Sequence, residues 1–376
     1  MMNDKTPIRI GIVGTNFVSD WLADAAATLD CVNVTAVYSR AQQTGDTFAQ
    51  KHSIPHVFTD YDAFLASDEI DAVYIASPNF AHAEQAIRAL NAGKHVLCEK
   101  VIATNSRELS EMIAAAKANR RVLLEAMRPS FDPCIALVRE QLPKLGKLRR
   151  VVLDFNQYSS RYDKFKAGDI QNAFNPAYSN AAIMDIGVYI VHIAAKLFGR
   201  PRRILSMSTL LHNGFEGSGH VLLDYGDMKA ELSYSKITES VTPNLFVGED
   251  ATLAVGKITM PTDMRIIYHK GSPNLGTAGK WEEDVPFETV ENNMIFELAE
   301  FARLCRDGLV ENEYLENSVI EMEIIDEVRR QNGIVFPSDD VTEPEKADYV
   351  AVQGSADNAQ KEEESYESQS ADVIDL

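Results

Sequence analysis

Three side chains in this sequence could carry the interconversion of a carbonyl and an alcohol. Lys100 ends the run HVLCEK, and Asp185 and Tyr189 stand four residues apart in MDIGVYIVH. A spacing of four brings two side chains to one face of a helix. When hydride is delivered to a carbonyl carbon, the oxygen needs a proton donor and a positive charge. Tyr189 offers the first and Lys100 the second. The same residues also suit ordinary places, because a lysine at a strand end is often a solvated charge and a tyrosine in an apolar helix is often core. His192, three positions after Tyr189, suits either a satisfied core histidine or a substrate contact. Gly187, between Asp185 and Tyr189, would permit close approach by another backbone or a ligand.

A hydride needs a carrier, and GIVGTNFVSDW, residues 11–21, is the segment that could hold one. In a dinucleotide turn one glycine makes the bend, a second admits the pyrophosphate and a third lets the helix pack on the strand. Here Gly14 keeps the first position, and Asn16 and Ser19 take the other two. Asn16 tolerates positive φ and can make the turn, although its side chain narrows the approach; Ser19 is small enough to pack. Gly14, Thr15, Asn16 and Phe17 would then face the pyrophosphate. A plain strand-to-helix turn fits the same letters. The next strand ends in Tyr38-Ser39-Arg40, where an NAD site usually carries Asp or Glu for the ribose hydroxyl. A hydroxyl and a guanidinium suit a 2′-phosphate, so NADP is favoured and NAD is the alternative. Arg40 as a plain surface charge is the competing reading.

These residues need a frame. The chain has 376 residues and 45% apolar content, enough for two cores. Over the first 125 residues, β-rich runs near 8–13, 32–38, 56–58, 72–75, 95–98 and 122–125 alternate with helical patterns. That alternation predicts βαβ units and a parallel, doubly wound α/β sheet, a Rossmann domain. After Arg128, strands near 148–158, 203–211, 220–225, 228–236, 244–247, 251–255 and 264–269 follow one another with few helices between them. They predict an α+β domain with a large, mostly antiparallel sheet, interrupted by helices over 181–198, 288–305 and 313–331. The expected division is a dinucleotide-binding domain over 1–125, a substrate domain over 126–337 and a disordered acidic tail over 338–376. Glu125 and Arg128 fall at the crossover between domains. Gln157, Tyr158 and Arg161 cluster at a strand end, as donors and aromatics for a hydroxylated ligand or as interdomain packing.

The formal charge is -20, half of it beyond residue 337, and it disfavours nucleic acid and anionic membranes as partners. Four cysteines lie far apart without a CxxC pair, so neither a disulfide framework nor a zinc site is expected, and reduced thiols suit a cytoplasm. No histidine has a partner at ligand spacing, and no metal is expected. No leader-like start and no run of about 18 uncharged apolar residues is seen, so no targeting or spanning segment is expected.

From 75 to 101 the chain reads IASPNFAHAEQAIRALNAGKHVLCEKV. This resembles the Gfo/Idh/MocA oxidoreductases, which carry TPN-x-x-H followed by ALxAGKHVxxEKP, and the likeness extends through DIGVY to about residue 337. It implies a nicotinamide cofactor lined by Ser77, Pro78, Asn79, His82, Glu99 and Lys100, and hydride transfer on sugars, polyols or dihydrodiol-like small molecules. It also implies that Lys100, Asp185 and Tyr189 are catalytic, with Arg128, Gln157, Tyr158, Arg161 and His192 toward the substrate, and that the protein is a homo-dimer or homo-tetramer. One departure is Val101, where the pattern has proline. With Asn16 and Ser19 it leaves open an inactive, nucleotide-bound regulator of the same fold.

Overall fold

Runs rich in Val, Ile and Ala, too short for helices and bounded by turn residues, form the first sheet of the computed structural model, which describes residues 6–269 and 281–339. In chain order its elements are β1 (Ile8–Val13), α1 (Phe17–Ala26), β2 (Val32–Tyr38), α2 (Gln42–His52), β3 (His56–Phe58), α3 (Tyr61–Ala66), β4 (Ala72–Ile75), α4 (His82–Asn91), β5 (His95–Glu99), α5 (Ser106–Asn119) and β6 (Leu123–Ala126). All six strands are parallel, in the order β3-β2-β1-β4-β5-β6. Every residue of β4, β5 and β6 is buried, as parallel strands covered on both faces require. The order reverses between β1 and β4, and a doubly wound sheet opens its ligand crevice at that point, past the carboxyl ends of the strands.

The chain then makes α6 (Arg128–Phe131), α7 (Pro133–Gln141), β7 (Leu148–Asn156), α8 (Tyr162–Lys166), a π-helical turn over Ile183–Gly187 and α9 (Val188–Phe198). It continues through β8 (Arg203–Leu210), β9 (Glu216–Asp224), β10 (Lys229–Ser235), β11 (Asn244–Gly248), β12 (Ala251–Val255), β13 (Met264–Tyr268) and β14 (Trp281–Asp284), and closes with α10 (Met294–Asp307) and α11 (Glu313–Asn332). The second sheet has the order β14-β13-β12-β11-β7-β10-β9-β8 and is antiparallel except for β7 beside β10. A parallel pair needs a long crossover. The π turn and α9 lie in that crossover and pack on β7 and β10, which sets them over the ends of both strands.

Three expectations change. The stretch Pro176–Phe198 has the length and mean hydropathy, 1.7, of a membrane span, but it is mostly buried, and all residues of α9 from Val188 to Ala195 lie in the core. Core burial against β10 and α11 accounts for its apolarity. α10 packs on the first sheet rather than the second, where Met294, Leu298 and Phe301 join Ile8, Ile10 and Leu22 in one cluster. The ordered chain also runs past the expected tail boundary. Ser338 Oγ meets Thr104 Oγ1 at 2.8 Å, and Asp339 accepts from Phe336 N at 2.8 Å and pairs with Arg329. The rest of the expected tail, 340–376, lies outside the described residues.

Candidate active site

Lys100 follows β5 at the carboxyl edge of the first sheet and reaches the π turn above the second. Its Nζ donates to Asp185 Oδ1 at 2.9 Å and to the Asp185 carbonyl oxygen at 2.6 Å, and it lies 4.9 Å from the centre of the Tyr189 ring. The three residues thus converge, as their chemistry requires. A π turn departs from the regular helical ladder, and such turns recur at functional sites. Two features hold this one. The Glu216 carboxylate accepts from Ile183 N at 2.7 Å, and Gly187 lets the Tyr234 ring close in: a Cβ there would sit 2.9 Å from that ring. Gly187 therefore admits a side chain of β10, not a backbone or ligand.

Burial opposes the charge on Lys100, but the Asp185 carboxylate overrides it and holds the ammonium above the ordinary lysine range. Burial would raise Asp185, yet Lys100 and Lys236 together keep it far below the usual carboxylate range. Asp185 is thus ionised, and Oδ2 bonds Lys236 Nζ at 2.6 Å. Nothing in the sequence marks Lys236, which reads as one more lysine past a strand end. Arg128 starts α6, where burial opposes its charge but Tyr189 lies close enough that the phenol oxygen favours it. Its guanidinium also bonds Asn293 Oδ1 at 3.2 Å and lies 5.4 Å from the Trp21 ring of α1. Arg128 thereby ties the site to α1, the helix after the Gly14 turn, and to the cap of α10, two further contacts that spacing did not reveal.

At that turn Gly14 takes φ +100°, and a Cβ there would stand 2.9 Å from the Ala76 carbonyl oxygen. Asn16 does not take the positive φ expected of it. At φ -88° it caps α1, accepting from Val18 N and Ser19 N at 2.9 and 3.1 Å and donating to Ala76 O at 2.8 Å. Ser19 is fully buried, Thr15 is half-buried and Phe17 is 59% exposed at the rim. Ser39 is buried against Thr44, and Arg40 is exposed just before α2, whose cap residue Ala41 offers no side-chain acceptor.

The other residues divide. Ser77 bonds Gln85 at 2.7 Å, Pro78 leads into the short turn at Asn79, and Asn79 Nδ2 crosses to the Ser179 carbonyl at 3.0 Å. His82 is sealed: its ring nitrogens face Val101 O at 2.9 Å and Ser77 O at 2.8 Å, so it clamps two loops and offers nothing to a cofactor. The peptide Lys100–Val101 is cis. Glu99 bonds the Tyr74 hydroxyl beneath the cleft, and burial raises its pKa. Gln157 is exposed beside Ser235 and Lys236, and Arg161 lies near enough to Lys236 to oppose its charge. Tyr158 turns to Asp163 and Lys166, at 2.7 and 2.8 Å, away from the cluster.

His192 and Glu125 are not in the cleft. His192 is 1% exposed, with Nδ1 at 2.6 Å from Glu321 and Nε2 at 3.0 Å from Ser130 Oγ. Glu125 accepts from Ile102 N at 3.0 Å and Ser318 Oγ at 2.6 Å. The ligating atoms of Glu125, His192 and Glu321 lie within 4.8 Å of one another, a grouping that sequence spacing cannot reveal because three separate elements supply it. Protein hydrogen bonds already engage each residue.

Known proteins share the fold. Residues 8–127 match the model of an oxidoreductase family with an NAD-binding Rossmann fold, and residues 138–254 match the GFO/IDH/MocA C-terminal domain. The chain is 41% identical over 334 residues to scyllo-inositol 2-dehydrogenase (NADP(+)) IolU of Bacillus subtilis (strain 168), covering 88% of this chain and 99% of that protein. It is 26% identical over 343 residues to a trans-1,2-dihydrobenzene-1,2-diol dehydrogenase of Mus musculus, with the same coverage. A solved 3-ketoreductase from Actinomadura kijaniata, in complex with NADP and TDP-benzene, has the same fold at a TM-score of 0.74 and 22% identity, over 86% of this chain and 97% of that one. With a parallel sheet ending at Gly14 and Lys100, a π turn and α9 packed on the second sheet that carry Asp185 and Tyr189, and both family models matched, the chain belongs to the GFO/IDH/MocA family of NAD(P)-binding oxidoreductases.

Proposed function

We propose that this protein is an NADP-dependent dehydrogenase that interconverts a secondary alcohol and a ketone on a cyclic polyol or related sugar. The observation that carries the reading is the convergence of Lys100, Asp185 and Tyr189 at the carboxyl edge of the parallel sheet. The turn suits the nucleotide. Gly14 lets the turn take a positive φ and pass close to the Ala76 carbonyl, and the turn from Gly14 to Phe17 into α1 is where a dinucleotide fold receives a pyrophosphate. Ser39, Arg40 and the uncapped amides opening α2 form a donor set for a 2′-phosphate.

When bound, the cofactor supplies or accepts the hydride. The Tyr189 hydroxyl, beside Arg128, gives a proton to the substrate oxygen in reduction and takes it back in oxidation. The Lys100 ammonium stabilises the negative charge that builds on that oxygen, and Asp185 fixes the ammonium in position. Val101 in place of proline leaves Lys100 on Asp185 and Tyr189, so of the three departures that left an inactive regulator open, this one loses its force. The polyol and NADP parts of the reading draw support from the 41% identity to the NADP(+)-dependent scyllo-inositol dehydrogenase. The test is oxidation of scyllo-inositol with NADP(+) against NAD(+), beside a panel of sugars and dihydrodiols. Robust NADPH binding without turnover of any of them rejects the reading.

The second sheet supports a homo-dimer or homo-tetramer. β8 alternates exposed and half-buried residues; Leu205 and Met207 are 47% and 78% exposed, and Leu205 pairs with Leu222 of β9, itself 38% exposed. This open apolar strip suits a second copy, and Met207→Lys should shift sedimentation toward the monomer. Four free cysteines, three of them buried, support a cytoplasmic setting, and the charge of -20 supports a small-molecule role without nucleic acid or membrane.

A further inference from the structure

Lys236 is an expensive residue to bury. It keeps 4% of its side-chain exposure, and an ammonium taken from water loses several kcal/mol of hydration unless its surroundings replace it. Here they do. Nζ bonds Asp185 Oδ2 at 2.6 Å and the Ala173 carbonyl at 2.8 Å, and it lies 4.9 and 5.3 Å from the ring centres of Phe174 and Phe215. An anion, a carbonyl and two aromatic faces all favour the charged amine. A cage of this kind, set against the carboxylate that also holds Lys100, is more than packing for the end of β10.

Resting on the reading of Lys100 and Tyr189 as the groups that attend the reacting oxygen, we propose that Lys236 is a positioning residue for Asp185. Its grip on Oδ2 leaves Oδ1 and the Asp185 carbonyl to Lys100, so the carboxylate cannot rotate. It also sets the charge that the cleft presents. Shared between two ammonium groups, the carboxylate neutralises Lys100 less than it would if paired with Lys100 alone, and this route exists only while Asp185 is charged. Only uncompensated charge is available to an oxygen becoming negative in the transition state, and such stabilisation is strong in a partly dry site. Lys236 touches neither that oxygen nor the cofactor, and acts through Asp185.

The test compares Lys236→Met, Lys236→Arg, Asp185→Asn and the double variant that combines Lys236→Met with Asp185→Asn. Each is measured by kcat and KM for the polyol that the wild type oxidises, NADPH affinity and melting temperature. Lys236→Met should lower kcat about 10- to 100-fold, below the roughly 10²- to 10³-fold cost of losing a group that touches an oxyanion because it acts through Asp185, with KM and NADPH affinity nearly unchanged. Lys236→Arg should restore most of the loss, and it keeps the test decisive if the Met variant folds poorly. When Asp185→Asn is already present, adding Lys236→Met should lower kcat less than about threefold, because its route is already cut. Acetic anhydride should label Lys100 more slowly in the Met variant, since its ammonium then has the carboxylate to itself. An unchanged kcat in folded Met variant, an undiminished loss on top of Asp185→Asn or no rescue by Arg overturns the proposal while leaving the dehydrogenase reading intact. A wild type that binds NADPH but turns over nothing removes both.

Discussion

The cleft and the core beneath it each hold a cluster of ionisable side chains, and the two behave oppositely. In the cleft, Asp185 is held ionised between two lysines, and its side chain stays 36% exposed. In the core, Glu125, His192 and Glu321 are at most 2% exposed, and burial suppresses charge on all three: it pushes Glu125 up to about 7, Glu321 well above the usual range and His192 down to about 3. The residue types alone would rank the His–Glu–Glu group as the more catalytic. What separates the clusters is access and pairing with cations, and a substrate can reach only the first.

The largest effect that tests this contrast is the loss of the cleft lysine. Lys100→Met should reduce kcat by roughly 10³-fold or more while NADPH binds nearly as before, since it removes the charge that faces the developing oxyanion. Tyr189→Phe should follow at about 10²-fold or more, the worth of a positioned proton donor. His192→Leu should instead leave kcat per folded molecule within a few-fold and lower the melting temperature, because it strands Glu321 and Ser130 without a partner. A His192 variant that folds normally and is inactive would dissolve the distinction between the clusters.

That distinction explains what the sequence could and could not reveal. The parallel sheet, the glycine at 14 and the Lys100 segment are local: alternating runs and a few fixed spacings state them directly. Asp185 and Tyr189 were also legible, because four residues on one helix make a pair. Lys236, Asn293 and Glu216 were not, since each comes from another element and meets the site only through strand order and the parallel packing of β10 on β7. For His192 the sequence left a core histidine and a substrate contact both open for the same reason. Its partners lie 62 and 129 residues away, and nothing near it in sequence announces them. Asn16 shows a subtler limit: a residue tolerant of positive φ is also a strong helix cap, and Gly14 had already supplied the turn.

Stability against pH gives an intermediate effect. Glu125 and Glu216 both stand at about 7 in the folded chain, raised by burial, against an ordinary value of 4.5. Between those values the folded state binds their protons more tightly than the unfolded state does. Their contribution is therefore full below pH 4.5 and lost as pH rises through 7, by up to about 3 kcal/mol each. The melting temperature should fall between pH 5 and pH 8. Glu125→Gln, which fixes that carboxyl in its uncharged form, should lose less stability between pH 5 and pH 8 than the wild type, and an equal fall in both would show that Glu125 does not govern the slope.

The smallest effect lies at the most exposed charge. Arg40 has neither the burial of Lys100 nor a carboxylate partner among the described residues, so its interaction with a 2′-phosphate is screened by water and contributes less than the cleft charges do. One charge-assisted pair at such a site is worth about tenfold in binding. Arg40→Ala should weaken NADPH by that amount, leave NADH unchanged in the same fluorescence titration and leave kcat at saturating cofactor intact. The NADPH loss should also shrink as salt is raised, because only the phosphate contact is electrostatic at long range. If both nucleotides weakened together, Arg40 would be supporting the turn into α2, and Ser39 with the open amides of α2 would carry the phosphate alone.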